Sequence, residues 1–173
     1  IEQSDRLIET TRKEQAITKV LLDSPNPTTV ALHSLLDRVV SDVHADHPDA
    51  TFTVECPAPV YVQAVSRLEV ALEELLTNAI IHNDAASPTV TVAVTERADA
   101  VRIEVHDEGP RIPEREQAVL SRGSTVDELF HGTGLGLWVV YWIIKQSKGS
   151  VGVTTHELAG NTVTVELQPG ESR

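Results

Sequence analysis

Apolar residues recur along the chain in two rhythms, one of three to four residues and one of strict alternation. The changes between them fall at Pro, Gly, Asn and Asp. In residues 1 to about 22, Leu7, Ile8, Thr11, Ala16, Ile17, Val20 and Leu21 keep the helical spacing. This predicts a charged amphipathic helix, the kind that serves as one arm of a hairpin or coiled coil. Ser24-Pro25-Asn26-Pro27 breaks it. Leu32, Leu35, Leu36, Val39, Val40 and Val43 predict a second helix from about Leu32 to Ala45, stopped by Asp46-His47-Pro48-Asp49. Thr51 to Cys56 alternates as a strand, which Pro57 and Pro59 confine to a short or edge position. Val60 to Val62 is a second short extended piece. A long helix follows over about Gln63 to Ile81, then two strands at hairpin spacing, Thr89 to Thr95 and Ala100 to Asp107. Residues 108 to 131 carry no strong period, and a connection of that length in a compact domain is usually functional, for example a lid. The chain closes with a helix from about Leu135 to Ser147 and two strands, Ser150 to Thr155 and Thr162 to Leu167, about a Gly160-Asn161 turn. Helices and strands in runs, joined mainly as hairpins, predict an α+β fold. The expected form is a two-layer α/β sandwich on a mixed, mostly antiparallel sheet, with helices on one face and a helical arm in front.

Composition narrows this picture in three ways. The formal net charge of −12 argues against a general nucleic-acid surface. The 14 Lys and Arg against 26 Asp and Glu suit a protein kept soluble in high salt, as from a halophilic archaeon, an ordinary acidic domain being the plain alternative. The single cysteine, Cys56, excludes an internal disulfide framework and is read as a core thiol. No apolar run approaches the length of a membrane helix.

Three segments carry candidate chemistry. Gly132-Thr-Gly134-Leu-Gly136-Leu137 opens the apolar run to Ile144. Glycines let backbone approach a ligand, and a helix start presents unpaired N–H groups and partial positive charge, so the stretch suits phosphate. A flexible glycine loop before a core helix is the bland alternative. It is not a Walker loop, since no Gly-Lys-Ser/Thr follows. Glu74 and Asn78 stand four apart on one helix face, with His82 continuing the stripe. Most such pairs are merely solvated, but a carboxylate and an amide oxygen together can hold a hydrated Mg²⁺. Asp107-Glu108-Gly109 ends a strand in an acid and a glycine turn. A dry carboxylate there can accept a hydrogen bond from an exocyclic amine such as that of adenine.

In order and spacing these segments resemble the ATP-binding catalytic domain of sensor histidine kinases, within the GHKL superfamily (Bergerat fold). Glu74-Leu-Leu-Thr-Asn78-Ala-Ile-Ile-His82-Asn83 resembles that family's asparagine box. Asp107-Glu-Gly109-Pro-Arg-Ile-Pro113 resembles its first glycine box, and Gly132-Thr-Gly134-Leu-Gly136-Leu its second. Gly160-Asn-Thr162-Val-Thr-Val-Glu-Leu is similar to its terminal strand. The resemblance covers about residues 28 to 169, with residues 114 to 131 as the ATP lid and 170 to 173 as a tail. The arm, residues 1 to 24, then resembles the second helix of a dimerisation and phosphoacceptor hairpin.

The resemblance implies Mg-ATP as ligand. Asn78 would ligate the Mg²⁺, and Glu74 would hold a metal-bound water or polarise the attacking group. Asp107 would take the adenine amine, with Gly109 beneath the base and Thr162 beside it. His82, Asn83, Ile112, Arg122, Thr133, Leu135 and Leu137 would join Gly132, Gly134 and Gly136 around the nucleotide. The γ-phosphate would pass to a histidine on a helix upstream of residue 1, in the same chain or its dimer mate, and then to a response-regulator aspartate. His33, His44, His47, His106, His131 and His156 are read as surface or structural. The domain is expected to be cytoplasmic, with any membrane association left to the rest of a homodimeric full-length protein.

Three positions depart from the pattern. Ile81 stands where the family often has Lys, Arg111 where the first glycine box has its second Gly, and Leu120 where the lid has Phe. They keep open a degenerate nucleotide-binding or interaction module without phosphotransfer. An ATP-hydrolysing clamp would need a further transducer domain, and a serine-directed anti-sigma kinase sits poorly with the helical arm.

Overall fold

The computed structural model describes residues 26–123, 134–156 and 159–171. In chain order these form β1 (Thr28–Ala31), α1 (Leu32–Asp46), β2 (Thr51–Glu55), β3 (Tyr61–Ala64), α2 (Leu68–Ile81), β4 (Thr89–Glu96), β5 (Val101–Asp107), α3 (Glu114–Arg122), α4 (Leu135–Gln146), β6 (Ser150–Thr155) and β7 (Asn161–Pro169). The predicted arm at residues 1 to 24 lies outside the described residues, as do residues 124 to 131 of the expected lid.

The strands make one seven-stranded sheet in the order β1-β3-β7-β5-β4-β2, with β6 also on β7. Every pairing is antiparallel except β2 with β4. The sheet is therefore mixed and mostly antiparallel, as the run of hairpins predicts. β7 lies along β5 on one side, and on the other it meets first β6 and then β3.

Alternation sorts the two faces. On β5, Val101, Ile103, Val105 and Asp107 are buried while Arg102, Glu104 and His106 are only partly covered. On β7, Asn161, Val163, Val165 and Leu167 are buried in the same way. The buried face receives α2 and α4, whose helical stripes include the fully buried Leu68, Leu72, Leu76, Trp138, Ile143 and Ile144. Each such side chain removed from water stabilises the fold by about 1.5–3 kcal/mol.

Three elements and one side chain differ from the sequence expectation, each for a local reason. β1 is a four-residue strand hidden by its polar start, Thr28-Thr29, just after the Pro25/Pro27 break. α2 begins at Leu68, because Gln63 and Ala64 pair with β1 and β7 instead. α3 forms inside the stretch expected to be irregular. It buries only Val119 and Leu120, too few to show a period, and places Glu114 and Glu116 in its first turn and Arg122 in its last, which suits the helix dipole. Cys56 is half-buried rather than a core thiol. Burial, and secondarily the nearby Asp37 charge, push its thiol pKa up.

Ser147 fixes the end of α4. Its hydroxyl donates to the Ile143 carbonyl at 2.9 Å and accepts the Val65 amide at 3.1 Å, joining α4 to the turn before α2.

Candidate nucleotide site

A cavity of about 380 Å³ opens between α2, α4 and the buried ends of β5 and β7. Its apolar walls include Leu75, Ala79, Val105, Ile112, Leu137 and Val163, and its polar groups include Asn78, His82, Asp107, Arg111, Glu116 and Asn161. An apolar cleft with few convergent polar groups is the usual form of a small-molecule site.

Asp107 is at its floor, 7% exposed. Its Oδ1 accepts the Gly109 amide at 2.8 Å and the Asn161 amide Nδ2 at 3.1 Å. Asn161 spreads further. Its Nδ2 also donates to the Pro110 carbonyl at 2.8 Å, and its Oδ1 accepts the Ile112 amide at 2.8 Å. One side chain thus shapes the whole turn after β5. Gly160 donates from its amide to the Gly109 carbonyl at 2.9 Å and holds φ at +101°, a conformation glycine adopts without steric cost.

Gly109 sits tightly: a Cβ there would stand 3.0 Å from Asp107 Oδ1 and 3.4 Å from the Asn83 backbone. It lines an adjoining, more open recess of about 590 Å³ with Asn83, Glu108 and His156. Pro110 and Arg111 border both spaces. Asn83 accepts the Ala85 amide on Oδ1 at 2.9 Å, a turn bond that fixes the chain after α2.

The other end of the cleft is built by α2 against α4. Gly134 caps α4 without any side-chain hydrogen bond, and Leu135 is half-buried in its first turn. Gly136 packs so closely on α2 that a side chain there would meet the Glu74 carboxylate and lie 3.5 Å from Asn78 Nδ2. Among the described residues, Asn78 Nδ2 is buried with no hydrogen-bond partner. A carboxylate and a side-chain amide thus lie together beside Gly136, and they are residue types that could hold a hard, hydrated cation such as Mg²⁺ with the amide turned to present its oxygen.

The structure therefore brings Asn78, His82, Asp107, Ile112 and Leu137 to one cavity, with Glu74 and Gly136 at its edge and Gly109 and Asn83 in the adjoining recess. Gly132 and Thr133 lie outside the described residues. Two expectations are corrected. Thr162 does not line the cavity; alternation along β7 turns it to the outer face, where His106 Nδ1 and His156 Nε2 stand 3.1 and 3.0 Å from its Oγ1. Asn161, one residue earlier, takes the inward place. The signal for it was the strand register, since it pairs with Asp107. Arg122 ends α3 with an exposed side chain and borders neither space.

Of the departures from pattern, Ile81 is 55% exposed and Leu120 is wholly buried. Arg111 is exposed at the cavity mouth. Among the described residues, no helix is long and apolar enough to cross a membrane.

The family model described as histidine kinase-, DNA gyrase B- and HSP90-like ATPase matches residues 63–171. The sensor-type histidine kinase PrrB of Mycobacterium tuberculosis is 31% identical over 157 residues, covering 88% of this chain and 34% of that protein. The sensor protein kinase CarS of Pseudomonas aeruginosa is 38% identical over 97 residues, 56% of this chain and 21% of that protein. The chain thus spans about a third or less of the length of these relatives. Among solved structures, full-length ShkA in complex with AMPPNP superposes with a TM-score of 0.76 at 21% identity, over 99% of this chain and 37% of that one. The catalytic domain of histidine kinase ThkA gives 0.69 at 23%, over 82% and 95%. These last two likenesses speak to the fold.

Proposed function

The chain belongs to the histidine kinase-, DNA gyrase B- and HSP90-like ATPase family, and on that premise we propose that it is the ATP-binding catalytic domain of a sensor histidine kinase. The observation that carries this reading is one cleft with an adenine-type end at Asp107 and a phosphate-type end at Glu74, Asn78 and Gly136.

At the first end, among the described residues, both side-chain hydrogen bonds to Asp107 fall on Oδ1. Oδ2 is left to accept the exocyclic amine of adenine, while Val105, Ile112 and Val163 cover the ring. Burial makes this acceptor discriminating, because a base lacking the amine would leave the carboxylate unpaired. The neighbouring backbone at Gly109 stays close because no Cβ intervenes.

At the second end, the α4 N-terminus faces the phosphates with free N–H groups and positive potential. Asn78 and Glu74 would hold a Mg²⁺ ion, which supplies charge neutralisation to the β- and γ-phosphates. Glu74, on the same helix face, orients the acceptor side of the cleft. Phosphoryl transfer rests on such positioning and charge compensation. The acceptor is a histidine on a helix of the full-length protein or its dimer mate, and a response regulator takes the phosphate from there. Residues 114 to 131 act as the lid, with residues 28 to 169 as the catalytic domain and residues 1 to 24 as part of the acceptor hairpin.

Calorimetry with ADP and ATP, with and without Mg²⁺, tests the site: Asp107→Asn abolishes binding and Asn78→Ala removes its Mg²⁺ dependence. Unchanged affinity in both variants sinks the assignment. Transfer is read with γ-labelled ATP on a chain extended upstream through the acceptor helix. An acid-labile, base-stable label on the extension is expected. Nucleotide binding without any label favours a degenerate module, for which the Ile81, Arg111 and Leu120 departures are the specific grounds.

A further inference from the structure

The histidines read as surface or structural include a pair that converges. His106 on β5 and His156, just after β6, approach from either side of Thr162 on β7. His106 Nδ1 lies 3.1 Å and His156 Nε2 3.0 Å from the single Thr162 hydroxyl oxygen. Their ring centroids are 5.4 Å apart, with planes at 72°. A threonine hydroxyl can donate to one imidazole and accept from the other, so the pair is satisfied as neutral rings. That arrangement also gathers two imidazole nitrogens around one hydroxyl oxygen, so that rotation of the Thr162 side chain would open the space between the rings to an ion.

We propose that His106 and His156, with the Thr162 hydroxyl between them, bind a divalent transition-metal ion such as Zn²⁺ or Cu²⁺ on the outer face of the sheet. Imidazole suits these ions, with metal–nitrogen distances of about 2.0–2.1 Å. Two imidazoles on one tetrahedral ion at that distance hold their ring centroids about 5 Å apart, and the pair is already at that spacing. Neither ring must leave the core: His106 is half-buried and His156 exposed. The two backbones are held by the sheet, since His106 pairs with Thr162, and the His156 amide donates to the Gly160 carbonyl at 3.0 Å. A site on paired strands loses little chain entropy when it closes.

Local charge does not oppose a cation. Arg102, four residues back on the same face of β5, is neutralised by Glu166 at 2.7 Å, and Arg111, in the recess that His156 lines, is outnumbered there by Asp84 and Glu108. Among the described residues, no third His, Cys, Asp or Glu completes the set. Water and the hydroxyl then fill the remaining positions, and affinity falls below that of a four-ligand structural zinc site. On binding, the imidazole that donates to Thr162 moves its proton to its other ring nitrogen, so both nitrogens offer lone pairs. The site is distinct from the Mg²⁺ position at Glu74 and Asn78, which lies on the other side of the sheet and offers oxygen.

The test is titration of metal-stripped, nucleotide-free protein with ZnCl₂ by calorimetry in a non-coordinating buffer at neutral pH. One ion per chain is expected. His106→Gln and His156→Gln should each weaken it at least tenfold, while the control His44→Gln does not. With CuCl₂, the electron paramagnetic resonance spectrum of the unaltered chain should show hyperfine splitting from two equatorial nitrogens, falling to one in either variant. Absence of binding overturns the proposal. So does binding unchanged in both variants, or a copper spectrum without two-nitrogen splitting in the unaltered chain.

Discussion

Asn161 donates a hydrogen bond to Asp107 across the β5–β7 pair, 3.1 Å from Nδ2 to Oδ1, and the same amide ties down the Pro110 carbonyl and the Ile112 amide. The carboxylate proposed to bind the base is therefore oriented by a residue on a different strand, 54 positions away. Asn161→Ala should remove all three bonds and leave buried partners unsatisfied, at about 1–3 kcal/mol for each group so exposed. ADP affinity should fall at least tenfold, and thermal unfolding should shift down by several degrees. Thr162→Val, on the outer face, should leave ADP affinity unchanged. Calorimetry on the two variants separates these neighbours; a larger loss in Thr162→Val would show that the inward register is misassigned.

Gly136→Ala divides two effects that usually travel together. Alanine is favoured over glycine in a helix by at most about 1 kcal/mol, and Gly136 stands in the first turn of α4, while the added methyl meets the Glu74 carboxylate. That carboxylate is the end of a flexible side chain and can move aside. The unliganded fold should then be little changed in melting temperature. Nucleotide affinity should nevertheless fall tenfold or more, because the displaced group is the one proposed for the phosphate end. A melt of the apo protein beside an ATP titration checks both halves.

Gly160→Ala has no such escape. Its φ of +101° is strained for any L side chain, and the new Cβ would stand 2.6 Å from the Asp107 carbonyl oxygen, a backbone atom. A loss of about 2–3 kcal/mol in urea unfolding is expected, with strain of this kind costing about 1–3 kcal/mol before the clash is counted. A variant as stable as the parent would mean that the turn is not held as described.

Cys56 gives a pH signature. Burial, then Asp37, raise its pKa above the ordinary thiol value, so the folded protein favours the neutral thiol. The stability this contributes is present below the unfolded-state pKa and lost as pH rises through the folded one. Alkylation by iodoacetamide, which needs thiolate, should run slower at pH 8 in the folded chain than after denaturation. Its rate should climb with pH into a more alkaline range. Equal rates in the two states would contradict the shift.

Much of this architecture is readable in the sequence because its signals are periodic. The stripes of α1, α2 and α4 and the alternation of β4 and β5 announce themselves, and hairpin spacing makes an antiparallel sheet the natural guess. The cavity is legible where chemistry and period coincide, at Asn78, Asp107 and Leu137. What escapes is set by pairing rather than by local pattern. Gln63 and Ala64 look like the start of a helix until β1 and β7 take their backbone bonds. α3 is invisible because only Val119 and Leu120 of it are buried. The choice between Asn161 and Thr162 turns on a one-residue register, and a one-residue slip sends a side chain to the opposite face. His106 and His156 carry no sequence sign of meeting, since they come together only across β7.

The position of β7 bears on how the molecule is made. It is the latest strand of the sheet in chain order, yet it lies between β5 on one side and β3 and β6 on the other. As the chain emerges from the ribosome, the β4–β5 hairpin can zip as soon as it is clear. The two flanks of the sheet stay unjoined until residues near Pro169 arrive. Long-range pairing of this sort is slow, and it leaves strand edges open to wrong partners while it waits. Asn161 travels on that same strand, so the turn proposed to bind the base matures with the last strand rather than with the first. Ligand capture on nascent chains should therefore appear abruptly with length, only once β7 is free to insert.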